Sequence, residues 1–187
     1  MPYASASTKN WKKRSDDLAV TGVRGQRWDV FCTVVDNYGD IGVSWRLARQ
    51  LAVEHGMQVR LWVDDLASLQ RILPETSSEL EAQTLDSVEV RHWPSPFPVT
   101  EPAEVVVEAF GCALPPCYVD AMAALPRQPA WINLEYLSAE KWVSEYHGLS
   151  SPHPRLPLLK YFFFPGFSPD TGGLLAENGL VQRRHFF

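Results

Sequence analysis

Six short apolar runs, each closed by a turn signal or a segment of helical period, limit the fold of this chain more than any other feature. They cover 28–35, 57–63, 88–93, 104–110, 130–134 and 161–164. Runs of this length, rich in Val, Ile and aromatic residues, read as strands buried within a sheet. Between the first two, Gly42 to Glu54 places Val43, Leu47 and Leu51 on one stripe, with Trp45 and Ala48 beside it. Arg46, Arg49 and Gln50 fall on the other side, and His55-Gly56 closes the helix. Asp64-Asp65 is placed to cap a helix over Leu66, Leu69, Ile72 and Leu73 that stops at Pro74. Leu114-Pro115-Pro116 opens another, running to about Leu125, and Ser138-Ala139-Glu140 starts a short one. The polar stretch 75–87 is expected to be a surface loop, and Pro94, Pro96, Pro98 and Pro102 make the next segment irregular. Strands alternating with helices predict an α/β fold, a Rossmann-like, mostly parallel sheet with helices on both faces.

Composition narrows the function. The 187 residues are 45% hydrophobic, enough for one core without disulfide or metal staples. The 17 basic against 22 acidic side chains argue against nucleic-acid binding and suit a basic partner. No apolar stretch approaches the roughly 20 residues of a membrane span. Cys32, Cys112 and Cys117 form no CxxC pair, so a reducing cytoplasm is the expected location, and buried thiols are the expected state of Cys112 and Cys117. Residues 1–27 are basic, rich in Ser and Thr and without apolar periodicity. They read as a disordered extension or as a weak tether to an anionic surface, and they lack a signal-peptide core. The domain proper is expected over 28–167, with 168–187 starting a linker toward a second, absent domain.

The chemistry concentrates in the first strand-to-helix turn, Asp36-Asn37-Tyr38-Gly39-Asp40-Ile41-Gly42. In open α/β sheets, ligands meet the carboxyl ends of the strands. A glycine-rich turn there ordinarily favours phosphate, but this one lacks GxGxxG spacing and brackets its glycine with two carboxylates. Two acids at a helix N-terminus suit a bound cation and can accept its proton. Equally, Asp36 can be a turn residue and Asp40 an N-cap worth about 1 kcal/mol. Glu135 follows the strand over 130–134 and reads either as a cleft-lining acid or as an exposed strand end bonded to backbone N–H groups. His147 and His153 fall in a Gly/Ser/Pro-rich loop and read as solvated. The run Tyr161 to Phe164 reads as mostly core.

The segments Asp36 to Arg49, Arg60 to Asp65, Glu108 to Phe110, Asn133 to Glu140 and Lys160 to Phe167 occur in one order from about Trp28 onward. On these the chain resembles the N-terminal domain of the bacterial protein-arginine rhamnosyltransferase family that modifies elongation factor P. The resemblance implies the N-terminal half of an inverting GT-B glycosyltransferase, in which two Rossmann-like domains face across a cleft. It implies dTDP-β-L-rhamnose as donor, bound mainly by the C-terminal domain, an arginine of elongation factor P as acceptor, and neither cofactor nor metal. It assigns Asp40 as general base, Asp36 as its acidic partner, and Asn37, Tyr38, Gly39 and Glu135 as shaping the loop or binding the acceptor. Two other functions stay open: a non-catalytic module that recognises elongation factor P, and a nucleotide-binding Rossmann domain.

Overall fold

The structure, a computed structural model, describes residues 25–36 and 38–184, so Asn37 and the extension up to Arg24 lie outside the described residues. The strands are β1 (Arg27–Cys32), β2 (Gln58–Val63), β3 (Ala82–Leu85), β4 (Val88–His92), β5 (Val105–Ala109), β6 (Ala130–Leu134), β7 (Ser150–Pro152) and β8 (Leu159–Phe163). The helices are α1 (Gly39–Val53), α2 (Leu66–Ile72), α3 (Pro116–Ala124), α4 (Val143–Tyr146) and α5 (Leu180–Arg184). They form one eight-stranded sheet in the order β3-β4-β2-β1-β5-β6-β8-β7. Only the outermost pairs, β3–β4 and β7–β8, are antiparallel. The expected Rossmann-like layout is therefore what the chain adopts, with antiparallel edges added.

Strand alternation divides the core. Val30 and Cys32, Leu61 and Val63, Val107 and Ala109 face α1 and α2, where Ile41, Trp45, Ala48, Leu66 and Leu69 meet them. Phe31, Trp62, Val106 and Trp131 face α3 and its Leu114, Tyr118, Val119 and Met122. Chain order explains the split: β1, β2 and β4 step outward through α1 and α2, whereas β5 and β6 step the opposite way through α3. Asp65 caps α2 as expected, accepting from the N–H groups of Ala67 (3.0 Å) and Ser68 (3.2 Å).

Several elements differ from expectation. Part of the polar 75–87 stretch is β3, whose hairpin to β4 turns on Asp86 and Ser87 at φ 44° and 64°. Two positive φ values in a two-residue loop define a primed turn, and an edge strand needs no apolar run. α1 starts at Gly39, three residues before the expected Gly42, because the Gly39 N–H closes a turn on the Asp36 carbonyl (2.8 Å) and the Gly42 N–H reaches the Tyr38 carbonyl (2.9 Å). The short helix begins at Val143 rather than near Ser138. Cys117 is exposed and Cys112 half-buried, so neither is fully enclosed. Tyr161 is exposed and Phe162 and Phe163 are only half-buried, because β8 is covered by just the three-residue β7 at that edge. The residues after β8 lie back on α1. Arg46 pairs with Glu177 (2.6 Å), and Gln50 donates to the Ala176 carbonyl (3.0 Å). Gly172 permits that path, since a Cβ there would stand 2.3 Å from the Phe163 ring. Among the described residues no helix is long and apolar enough to cross a membrane.

A buried carboxylate joins the sheet to α3. Asp29 on β1 is fully enclosed and takes both Nε and Nη2 of Arg60 at 2.6 Å. It also accepts from Trp62 Nε1 (3.3 Å), the Ala103 N–H (3.1 Å) and the Tyr118 hydroxyl. Removing one partner of a buried pair leaves an uncompensated charge. Asp29→Ala is therefore expected to cost about 3–5 kcal/mol in equilibrium urea unfolding.

Two histidines expected in solvent are structural. His153 Nδ1 accepts from the Leu156 N–H (3.1 Å), and His147 Nδ1 accepts from the Phe164 N–H (3.1 Å) while its ring meets Phe163 edge-on. The His147 bond needs a neutral ring, and burial holds its imidazole below the ordinary 6.5. A lowered folded value means that the unfolded chain takes the proton first. Stability is thus whole above about pH 6.5 and drains as the pH falls through it. His147→Gln, whose amide oxygen can accept the same N–H, is expected to flatten the melting temperature between about pH 7 and 5 relative to wild type.

Candidate functional site

β1 and β5 are parallel neighbours whose chains leave in opposite directions, β1 toward α1 and β5 toward α3. Their loops diverge at the carboxyl edge, the place where open α/β sheets bind ligands. Three segments follow these strands at that edge: 33–36 after β1, 110–115 after β5 and 135–138 after β6. Phe110 (φ 56°), Gly111 (φ 66°) and Ala113 (φ 54°) turn the second segment sharply away from the sheet.

Asp40 is the second residue of α1 and lies 1% exposed. Its Oδ2 accepts the N–H groups of Val35 and Asp36, both at 3.0 Å, and its Oδ1 accepts the Tyr136 hydroxyl at 2.9 Å. Asp40 therefore ties the preceding loop down to the helix and does not cap it. Tyr38 holds the N-cap position, without a side-chain cap bond. Of the two acids, Asp36 alone is exposed, and it has no side-chain hydrogen bond or ion pair among the described residues. Gly39 makes room for it: a Cβ there would stand 3.2 Å from Asp36 Oδ2. Tyr38 is half exposed at the rim beside Val35, which is 81% exposed. Asn37 lies outside the described residues.

Glu135 is not brought to this loop. Its carboxylate accepts from Asn133 Nδ2 (2.6 Å) on the face that carries Trp131 and Lys160, and burial raises its pKa despite that bond. Tyr136, the next residue, points to the α1 side and reaches Asp40. Its ring stacks on Phe110 at 4.3 Å and 19°. Burial and the Asp40 bond push its hydroxyl up to about 12, so it remains a donor at neutral pH. The signal for Tyr136 was present in the sequence: continuing the β6 alternation past Leu134 puts 136, not 135, on the helix α1 face.

The acids here carry no counter-charge. Asp64 spends Oδ1 on the Val34 N–H (2.9 Å), and none of the ion pairs among the described residues involves Asp36, Asp40 or Asp64. Such an edge attracts a cation. Among the described residues no cluster of His, Cys, Asp and Glu is arranged to hold a metal ion. A separate cavity of about 660 Å³ opens on the α3 face, lined by Glu108, Leu114, Trp131, Arg155 and Lys160 among others. Its buried acid is already matched: Glu108 accepts from Trp131 Nε1 (3.0 Å), Lys160 Nζ (3.2 Å) and the Ala113 N–H (3.2 Å). Asp120 also lines this cavity and takes part in none of the ion pairs among the described residues.

Known proteins of the same kind exist. The chain is 57% identical to the protein-arginine rhamnosyltransferase of Pseudomonas putida over 160 residues, covering 86% of this chain and 42% of that protein. It is 54% identical to the protein of the same name from Pseudomonas aeruginosa, with the same coverage. It is 48% identical to the one from Shewanella oneidensis over 170 residues, 88% of this chain and 43% of that protein. The chain thus spans about two-fifths of the length of these relatives. The family model for elongation factor P rhamnosyltransferase EarP matches residues 28–187, the whole chain beyond the basic extension. With that match over most of its length, the chain belongs to the EarP family.

Proposed function

We propose that this chain is the acceptor-binding half of a cytoplasmic, inverting GT-B glycosyltransferase. The enzyme transfers L-rhamnose from dTDP-β-L-rhamnose to an arginine side chain of elongation factor P, and the nucleotide sugar is held mainly by a second domain. The observation that carries the reading is the pair of acids at the switch point: Asp36 exposed and without a counter-charge, Asp40 buried directly beneath it. The relatives' names supply the acceptor side chain and the sugar.

The chemistry divides between the two acids. A guanidinium has a pKa above about 12 and presents a planar fork of N–H donors. Asp36 is placed to receive that fork through charge-assisted hydrogen bonds of the stronger kind. One guanidinium nitrogen then attacks the anomeric carbon of rhamnose as the bond from that carbon to the diphosphate oxygen breaks, with inversion. The N–H proton passes to Asp40 and dTDP leaves. The guanidinium proton becomes acidic as the new C–N bond draws on the nitrogen lone pair, which readies it for transfer to a carboxylate. A single displacement of this kind requires no enzyme nucleophile and no metal.

The nucleotide-binding alternative is disfavoured by the same hydrogen bonds. A phosphate-cradling turn needs free backbone N–H groups. Here those of Val35 and Asp36 are spent on Asp40.

In the full-length protein, Asp40→Asn is expected to leave the calorimetric affinity for elongation factor P within about threefold while transfer falls about 10²–10⁴-fold. Asp36→Asn is expected to weaken that affinity about tenfold or more, the worth of a hydrogen bond to a charged group. Unchanged turnover of Asp40→Asn would reject the base. Affinity retained by this chain with turnover indifferent to both substitutions would favour a binding module without a catalytic role.

A further inference from the structure

A carboxylate offers about four lone-pair directions. Asp40 spends both of Oδ2 on the loop N–H groups of Val35 and Asp36, and one of Oδ1 on the Tyr136 hydroxyl. One direction is left for an incoming proton, and it is on Oδ1, next to that hydroxyl. The Tyr136 ring is itself held, stacked on Phe110 at the turn where β5 gives way to its loop. Tyr136 is 53% exposed, and the stack on Phe110 together with the bond to Asp40 sets the direction of its hydroxyl.

We propose that Tyr136 is a positioning residue for the transfer reaction: it fixes the rotation of the Asp40 carboxylate so that the last lone pair of Oδ1 faces the acceptor guanidinium. The inference rests on the reading of Asp40 as base. Tyr136 touches neither the sugar nor the reacting nitrogen; it acts through Asp40. The loop N–H groups fix Oδ2, and the hydroxyl fixes Oδ1. Two anchored oxygens leave the plane of the carboxylate no freedom to turn, which is the kind of preorganisation a proton transfer needs. Phe110 serves as the platform that keeps the phenol in place.

The titratable groups facing Asp40 are Asp36 from its own loop, Cys32 from the end of β1 and Tyr136, with Asp64 acting on Cys32 from beyond β2. The Cys32 thiol is pushed up to about 12, chiefly by burial, so it stays neutral through the working range.

The test is Tyr136→Phe in the full-length protein, assayed with elongation factor P and dTDP-β-L-rhamnose across pH. The phenyl ring keeps the stack on Phe110, so the fold is expected to be retained, with the melting temperature lowered modestly because the buried Asp40 loses one donor. The expected result is a kcat lowered about tenfold, the loss of one hydrogen bond to a charged group. KM for elongation factor P should stay within about twofold. A wild-type kcat would overturn the proposal. So would a rise in KM alone, which would make Tyr136 a docking contact. Asp40→Asn assayed in parallel separates the two claims: its inactivity beside a normal Tyr136→Phe enzyme removes only the positioning role, whereas its normal activity removes the base.

Discussion

A carboxylate shut away from water must spend its lone pairs on protein donors, and at Asp40 that requirement organises the end of β1. Leaving it unpaired would cost several kcal/mol. The loop N–H groups of Val35 and Asp36 therefore fold down onto it, and Tyr136 comes across from the end of β6. That folding lifts Asp36 to the rim and starts α1 at Gly39. It also occupies two of the backbone donors of this turn.

The placement follows from topology. Since α1 and α3 cover opposite faces, the loops after β1 and β5 separate, and whatever stands at the end of β6 on the α1 side faces the opening. Asp29 supports this frame from beneath by holding Arg60, Trp62 and Tyr118 to β1. The buried acids of the sheet divide into two kinds. Asp29 and Glu108 are matched by cations, and Asp40 is matched only by neutral donors. Only the last keeps its negative charge uncancelled.

The layered α/β fold was legible because it rests on apolar runs, and six strands stood where such runs occur. The missed strands, β3 and β7, are short edges held by backbone bonds, which leave no apolar signature. The candidacy of the first switch loop was legible too, since two acids around a glycine there contradict the phosphate pattern. The burial of Asp40 was not, because sequence tells which residue is acidic but not which N–H groups will turn toward it. Glu135 attracted notice as the charged residue at the strand end, while alternation assigned the contact to the neighbouring Tyr136. His147 looked like loop and proved to hold the start of the segment after β8, an effect of one long-range N–H bond.

The most direct measurement is the structure of the full-length protein bound to elongation factor P. The acceptor arginine should enter at the carboxyl ends of β1 and β5, with its guanidinium on Asp36 and one nitrogen about 3 Å from Asp40 Oδ1. An arginine seated instead in the Glu108–Lys160 cavity on the α3 face, with Asp40 still sealed beneath its loop, would contradict the assignment of this edge as the place where the acceptor reacts.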